Sequence, residues 1–289
     1  MRVFIIGGSG MLGHKLVQIL GQKFDVWTTV RADLESYKKY PIYRYEKTIE
    51  DVNVENIISV ERAIEKIKPE VVINATGVIK QISSAQSVIK VLSINSIFPN
   101  QLVELAGKFQ FRLITISTDC VFSGTKGNYS ETDIPDAQDL YGKSKQFGEI
   151  IGDNCLTLRT SIIGRELKTS HSLVEWFLSN RGGRVKGFKN AIFSGFPTVV
   201  LADIISNLIE NFSEIQGLYH VSSEPISKFD LLNLIKQIYK VEIEIEPFED
   251  FKIDRSLDST KFRDITGFKP MDWQYMIRKM FEDNGLYES

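Results

Sequence analysis

The chain has 289 residues, 43% hydrophobic and 25% charged, enough for one large domain or two modest ones, each with a real core. Its 35 Lys and Arg against 37 Asp and Glu leave a formal charge of −2, which excludes the basic surplus of a binder of nucleic acid or anionic membrane. A four-residue apolar run precedes the first glycines, no stretch nears the roughly 18 apolar residues of a membrane span, and the two cysteines stand far apart; the expectation is a soluble cytoplasmic protein with no membrane segment, disulfide or metal site.

Arg2 to Ile6 reads as a short buried strand and Gly7-Gly8-Ser9-Gly10 as a flexible turn. Met11 to Leu20 reads as a helix with Leu12, Leu16, Ile19 and Leu20 on one face, stopped by Gly21. Phe24 to Val30 is a second strand, rich in β-branched and aromatic residues. Apolar residues at Ile57, Val60, Ile64 and Ile67 predict an amphipathic helix ending before Pro69, with a strand at Val71 to Ile73. A long helical segment covers about residues 84–106, with Pro99 as a kink or break. An apolar strand through Phe111, Leu113, Ile114 and Ile116 then runs into Ser117, Thr118, Asp119 and Cys120. A loop to about residue 138, a helix over about 140–152 and a strand at Cys155 to Leu158 follow.

Strands alternating with helices predict an α/β fold, a Rossmann-type doubly wound parallel sheet covered on both faces. After about residue 164 the rhythm breaks into loops and short strands, apart from an amphipathic helix at 228–239. The expected division is a dinucleotide-binding domain of 1–163 plus 198–221, and a smaller mixed substrate lobe of 164–197 plus 222–289.

Gly7-x-x-Gly10-x-x-Gly13 occupies the first βα turn of this chain. There glycines allow the backbone to turn tightly and approach a pyrophosphate whose charge faces a helix N-terminus, so the turn predicts dinucleotide binding. Arg31 follows the second strand, where an arginine accommodates a 2′-phosphate; this predicts NADPH, with NADH possible because Asp33 and Glu35 are near. Tyr141 and Lys145 stand four apart and share a helix face. The same spacing recurs at Tyr43/Lys47 and Tyr275/Lys279, so spacing alone carries little.

The chain resembles the extended short-chain dehydrogenase/reductase superfamily and, within it, the dTDP-4-dehydrorhamnose reductase-like nucleotide-sugar reductases. The resemblance rests on the glycine turn, "INATG" (73–77), "ISTDCVFSG" (116–124), "YGKSK" (141–145), "LRTSIIG" (158–164), "GFPT" (195–198) and "RSLDSTKF" (255–262), and covers nearly the whole chain. It implies a catalytic hydroxyl, tyrosine and lysine at Thr118, Tyr141 and Lys145. It also implies cofactor contacts at Gly7, Ser9, Gly10, Met11, Leu12, Gly13, Arg31, Asn53, Ala75, Thr76, Gly77 and Ser117, besides Tyr141 and Lys145. In that scheme the nicotinamide supplies hydride, the Lys145 ammonium acidifies the Tyr141 phenol, and Thr118 orients the substrate oxygen.

Related sugar-nucleotide dehydratases carry Asp-Glu after the hydroxyl; Asp119-Cys120 here leaves no base for that elimination. Cys120 matches a cysteine that moves protons in GDP-fucose synthase-like epimerase/reductases, with His171 in "TSHSLVEWF" as its partner, so epimerisation is an alternative function. Lys186, Arg255 and Ser256 are expected substrate contacts, since a diphosphate calls for cationic or hydroxyl donors, and Lys80 and Asp119 are expected to line the substrate as well. The implied reaction is reduction of the 4-keto group of a nucleoside diphosphate 4-keto-6-deoxy sugar, in surface-polysaccharide precursor synthesis, by a homodimer pairing through the long helix and the Tyr141 helix. The methionine adenosyltransferase beta subunit resembles the same family, so a non-catalytic NADP-binding regulatory subunit is a further alternative.

Overall fold

A computed structural model of the chain describes residues 1–79 and 87–287. Its strands are β1 (Arg2–Ile6), β2 (Asp25–Thr29), β3 (Thr48–Ile49), β4 (Val71–Asn74), β5 (Arg112–Thr118), β6 (Cys155–Thr160), β7 (Ile162–Ile163), β8 (Arg184–Phe188), β9 (Ala191–Phe193), β10 (Phe196–Pro197), β11 (Gly217–His220), β12 (Ile226–Ser227), β13 (Glu244–Phe248) and β14 (Ile253–Asp254). Its helices are α1 (Gly13–Leu20), α2 (Ile57–Ile67), α3 (Val88–Leu92), α4 (Phe98–Phe109), α5 (Leu140–Phe147), α6 (Leu173–Ser179), α7 (Thr198–Asn211), α8 (Lys228–Tyr239), α9 (Thr260–Thr266) and α10 (Trp273–Glu282).

Seven strands form the central sheet in the order β11-β6-β5-β4-β1-β2-β3, every pair parallel. Alternation along each strand fixes its two faces. Val3 and Ile5 of β1 pack with Leu16 and Leu20 of α1 and with α7, whereas Phe4 and Ile6 pack with α2 and α4. Burial on both sides is what the uninterrupted apolar runs of β1 and β4 require, and it makes this the Rossmann-type sheet expected. The α1 and α7 core continues without a break through Val174, Phe177, Leu231, Ile235 and Met276 of the C-terminal helices. The strands β7–β10 and β12–β14 form three small sheets outside the central one.

Some predicted bounds shift for local reasons. The first helix starts at Gly13 rather than Met11, because residues 7–12 are consumed by the turn. The helix expected over 84–106 is described from Val88, residues 84–86 lying outside the described residues, and it runs to Phe109. Pro99 does not break it: proline sits in the first turn of α4, where its missing N–H has no intrahelical role. The irregularity lies just before it, a π-helical turn at Ser93–Ile97. The helix expected over 140–152 ends at Phe147, with Gly148 as its C-cap where a Cβ would collide with the Asn95 carbonyl oxygen.

Candidate functional site

Chain order reverses between β1 and β4, so the crevice beyond their carboxyl ends is the sheet's switch point, where open α/β sheets take ligands. The glycine turn rises from β1 on one side and Ala75-Thr76 leaves β4 on the other. Gly7 has φ +93, and a Cβ there would meet Thr76 Cγ2. At Gly13 a Cβ would collide with the Gly7 carbonyl oxygen, which fixes glycine where α1 crosses the turn. Gly10 differs: it is exposed, and an added Cβ would meet nothing closer than 3.4 Å. No neighbour within the chain demands glycine at 10, so the bare backbone is open to a ligand. The first turn of α1 carries neither a capping side chain nor an acid, which leaves its positive end for an anion. These features fit a dinucleotide pyrophosphate.

The turn is held from several sides. Gly7 N–H donates to Thr29 Oγ1 at 3.0 Å, and the Tyr43 phenol donates to the Gly8 carbonyl at 2.8 Å. Tyr43 is thus a buttress of the turn, which explains one of the other Tyr-x-x-x-Lys occurrences. Arg31 is exposed just beyond β2. Asn53 turns its amide oxygen back onto the Glu55 N–H at 3.0 Å. Ser9 and Met11 are half-buried, and Leu12 is buried in the core under the turn. A Cβ added at Gly77 would stand 3.6 Å from Asn95 Oδ1.

Thr118 ends β5, and the single turn Asp119–Val121 follows it. Thr118 Oγ1 accepts from the Cys120 N–H and donates to Asp119 Oδ1, both at 3.1 Å, and it shares a hydrogen bond with the Tyr141 phenol. Tyr141 reaches it because Gly142 lets α5 lie directly against the Cys120 carbonyl; a Cβ on Gly142 would collide with that oxygen and with Ala137. The Asp139 carboxylate caps α5, accepting from Gly142 N–H at 2.9 Å. Asp119 is buried, held by Thr118, Cys120 and Ser161, and burial pushes its carboxyl above the usual range against the opposing pull of Arg255.

Lys145, one turn beyond Tyr141, is buried and donates to the Ile116 carbonyl at 2.7 Å. Burial lowers its ammonium to about 8, with Glu149 opposing. The expected acidification of the phenol is corrected here. Burial, reinforced by Cys120 and Asp119, raises Tyr141 above its ordinary value, and the hydrogen bond with Thr118 offsets this only partly. The phenol therefore holds its proton across neutral pH. Ser117 is also committed elsewhere: its hydroxyl donates to Glu149 Oε1 at 2.6 Å, within a buried pair in which Arg159 binds both Glu149 oxygens.

Asn95, in the π-helical turn, joins the two halves of the site. Its amide oxygen accepts from Val78 N–H at 2.9 Å, and its Nδ2 donates to the Val78 carbonyl and to Ser144 Oγ, both at 3.0 Å. The loop after β4 is thereby clamped to the helix carrying Tyr141 and Lys145. The π turn, Gly142 and Ser161 carried no signal in the residue pattern.

On the substrate side, Arg255 is partly buried, donating to the Phe122 carbonyl at 2.8 Å and to Cys120 Sγ at 3.7 Å. Ser256 is occupied structurally, donating to Asp254 Oδ1 at 2.6 Å and accepting from Asn128 N–H at 2.8 Å. Lys186 is exposed on β8 with its ammonium over the Phe248 ring. His171 is exposed ahead of α6 and anchored through its backbone to Glu166. Lys80 lies outside the described residues. Among the described residues, no three His, Cys, Asp or Glu side chains are grouped to hold a metal, and no helix is long and apolar enough to cross a membrane.

A family model described as the RmlD substrate binding domain matches residues 1–285. A dTDP-4-dehydrorhamnose reductase of Aggregatibacter actinomycetemcomitans is 27% identical over 305 residues, spanning 96% of this chain and 98% of that protein. Methionine adenosyltransferase 2 subunit beta of Mus musculus is 25% identical, spanning 96% of this chain and 89% of that one. Among solved structures, the Bacillus anthracis dTDP-4-dehydrorhamnose reductase in complex with NADP superposes with a TM-score of 0.81 at 21% identity, covering 98% of this chain and 99% of that one.

Proposed function

The chain belongs to the RmlD substrate binding domain family, and from that premise we propose that it is an NADPH-dependent oxidoreductase that reduces the 4-keto group of a nucleotide-activated 4-keto-6-deoxy sugar. One observation carries the reading: the hydrogen-bonded Thr118 and Tyr141 pair stands at the end of β5, beside the switch point and its glycine turn. The reductase from Aggregatibacter and the NADP complex from Bacillus anthracis support it. Such products are precursors for surface polysaccharide.

The cofactor, when bound, supplies hydride to the carbonyl carbon. Gly10 and the first turn of α1 hold its pyrophosphate, Arg31 its 2′-phosphate, and Ala75 and Thr76 line the crevice between. Thr118 donates to the substrate carbonyl oxygen and fixes its direction. Tyr141 keeps its proton because burial disfavours the phenolate, and that is the state a donor must occupy before a ketone is reduced. As negative charge grows on the oxygen, the phenol delivers its proton, and the Lys145 ammonium offsets the charge left behind. Arg255 is the cation positioned to meet a diphosphate or sugar hydroxyl. A second copy pairs across the long helix and α5, where Ile97 and Phe147 are exposed, with Ile151 exposed just beyond α5.

The test is NADPH consumption across dTDP-, UDP- and GDP-linked 4-keto-6-deoxy sugars, with product stereochemistry by NMR. Turnover of one member supports the reading. The likeness to methionine adenosyltransferase 2 subunit beta favours a second one, a binding subunit without chemistry of its own. Protein that binds NADPH yet oxidises it with none of these substrates would establish that alternative.

A further inference from the structure

Beneath the glycine turn the chain's last described residues fold back onto α1. His14 and Lys15 are almost completely buried there, although both are polar residues of the first helix. His14 Nδ1 lies 2.8 Å from the Gly10 carbonyl oxygen and His14 Nε2 lies 2.6 Å from the Tyr287 hydroxyl. A carbonyl only accepts, so Nδ1 carries the hydrogen, and the neutral ring then leaves Nε2 to accept from Tyr287 O–H. Burial and the adjacent Lys15 hold His14 down at about 3, so this tautomer persists across the working pH range.

The contact is anchored on both sides of Tyr287. Lys15 forms an ion pair with Asp283, and Gln18 Nε2 donates to Asp283 Oδ1 at 2.7 Å. The Lys15 ammonium and the Arg165 guanidinium stand 4.6 and 4.8 Å from the Tyr287 ring centroid. Leu286 packs into the small cluster of Val30, Leu34, Tyr37 and Tyr40 that adjoins Arg31. A hydrogen-bond path thus runs from the C-terminal segment through His14 into Gly10, the glycine of this turn whose backbone is open to a ligand.

We propose that Tyr287, acting through His14 on the Gly10 carbonyl, is a positioning residue for the dinucleotide, so that the C-terminal segment sets how firmly the pyrophosphate turn is pre-formed. The inference rests on the cofactor reading above. A turn left free to move must be ordered on binding, and that cost falls on affinity.

The test compares Tyr287→Phe with a chain ending at Gly285, which retains Asp283 for Lys15. NADPH Kd is measured by titration calorimetry, and amide hydrogen exchange is followed over residues 8–13 without ligand. Tyr287→Phe keeps both ring–cation contacts and removes only the hydroxyl. The expected result is faster exchange across the turn, an NADPH Kd raised about three- to tenfold, and a larger fall in kcat/KM for NADPH than in kcat. An unchanged Kd in both variants overturns the proposal, whatever the exchange does. An unmodified protein that binds neither NADPH nor NADH overturns the cofactor reading itself, an outcome read independently of either variant.

Discussion

Gly142 lies so close to the Cys120 carbonyl that the turn after β5 and the helix carrying Tyr141 are in backbone contact. The glycine inside "YGKSK" is therefore what brings Tyr141 to Thr118. Gly142→Ala is expected to push α5 away, costing about 1–3 kcal/mol of stability and lowering kcat at least tenfold. Thermal unfolding and steady-state kinetics check both; an active, equally stable variant would show that the approach is not needed.

Tyr141→Phe removes the proton donor and leaves the ring. The expected loss in kcat is about 10²- to 10⁴-fold, with NADPH binding retained. Because burial raises the phenol, the unmodified enzyme needs no deprotonation to start the reduction, and kcat should not climb as pH rises from 6 to 8. A rate that rose steeply over that interval would point to a phenolate as the working form.

Lys145 titrates at about 8, so its charge is lost as pH rises through that value. The kcat/KM for NADPH should fall above pH 8 on a single ionisation. A profile flat to pH 10 contradicts the assigned role of the ammonium.

His14 and His220 are held at about 3 and about 4, both chiefly by burial. In the unfolded chain each accepts a proton near its ordinary 6.5, so unfolding takes up protons between 6.5 and these values. Stability is therefore fully present above about 6.5 and declines as pH falls, by about 2 kcal/mol per histidine at pH 5. Urea midpoints at pH 7 and pH 5 measure it, and equal midpoints would refute it.

His171 is exposed while Cys120 takes a hydrogen bond from Arg255, an arrangement better suited to reduction alone than to proton shuffling beside the ketone. Product formed in deuterated water should carry no solvent deuterium at C3 or C5. Incorporation that disappears in Cys120→Ser would restore the epimerase alternative.

The parallel sheet was legible because its strands are apolar throughout and its helices carry single apolar stripes, as at Ile57, Val60, Ile64 and Ile67. The glycine turn was legible from its position in the first βα unit. Residues whose importance lies in close approach were not. Gly142 and Gly148 look like poor helix formers until their neighbours' carbonyls are known, and the π turn aiming Asn95 leaves no periodic mark. The Tyr141 ionisation was hidden for the same reason: a neighbouring lysine is visible in sequence, but the depth of burial that raises the phenol is not. Tyr287 stands at the far end of the chain from the turn it touches, beyond the reach of any local pattern.

The outermost strand beside β6 is β11, contributed by residues 217–220, and the helix that covers α1 is α7 at Thr198–Asn211. A ribosome that has released only the first 160 residues has therefore made six of the seven strands, with β6 as an edge and one apolar face covered by α1 alone. Such a nascent chain cannot close its core before the last third emerges. Aggregation of products terminated after β6 is the expected consequence of how late in the chain α7 and β11 lie.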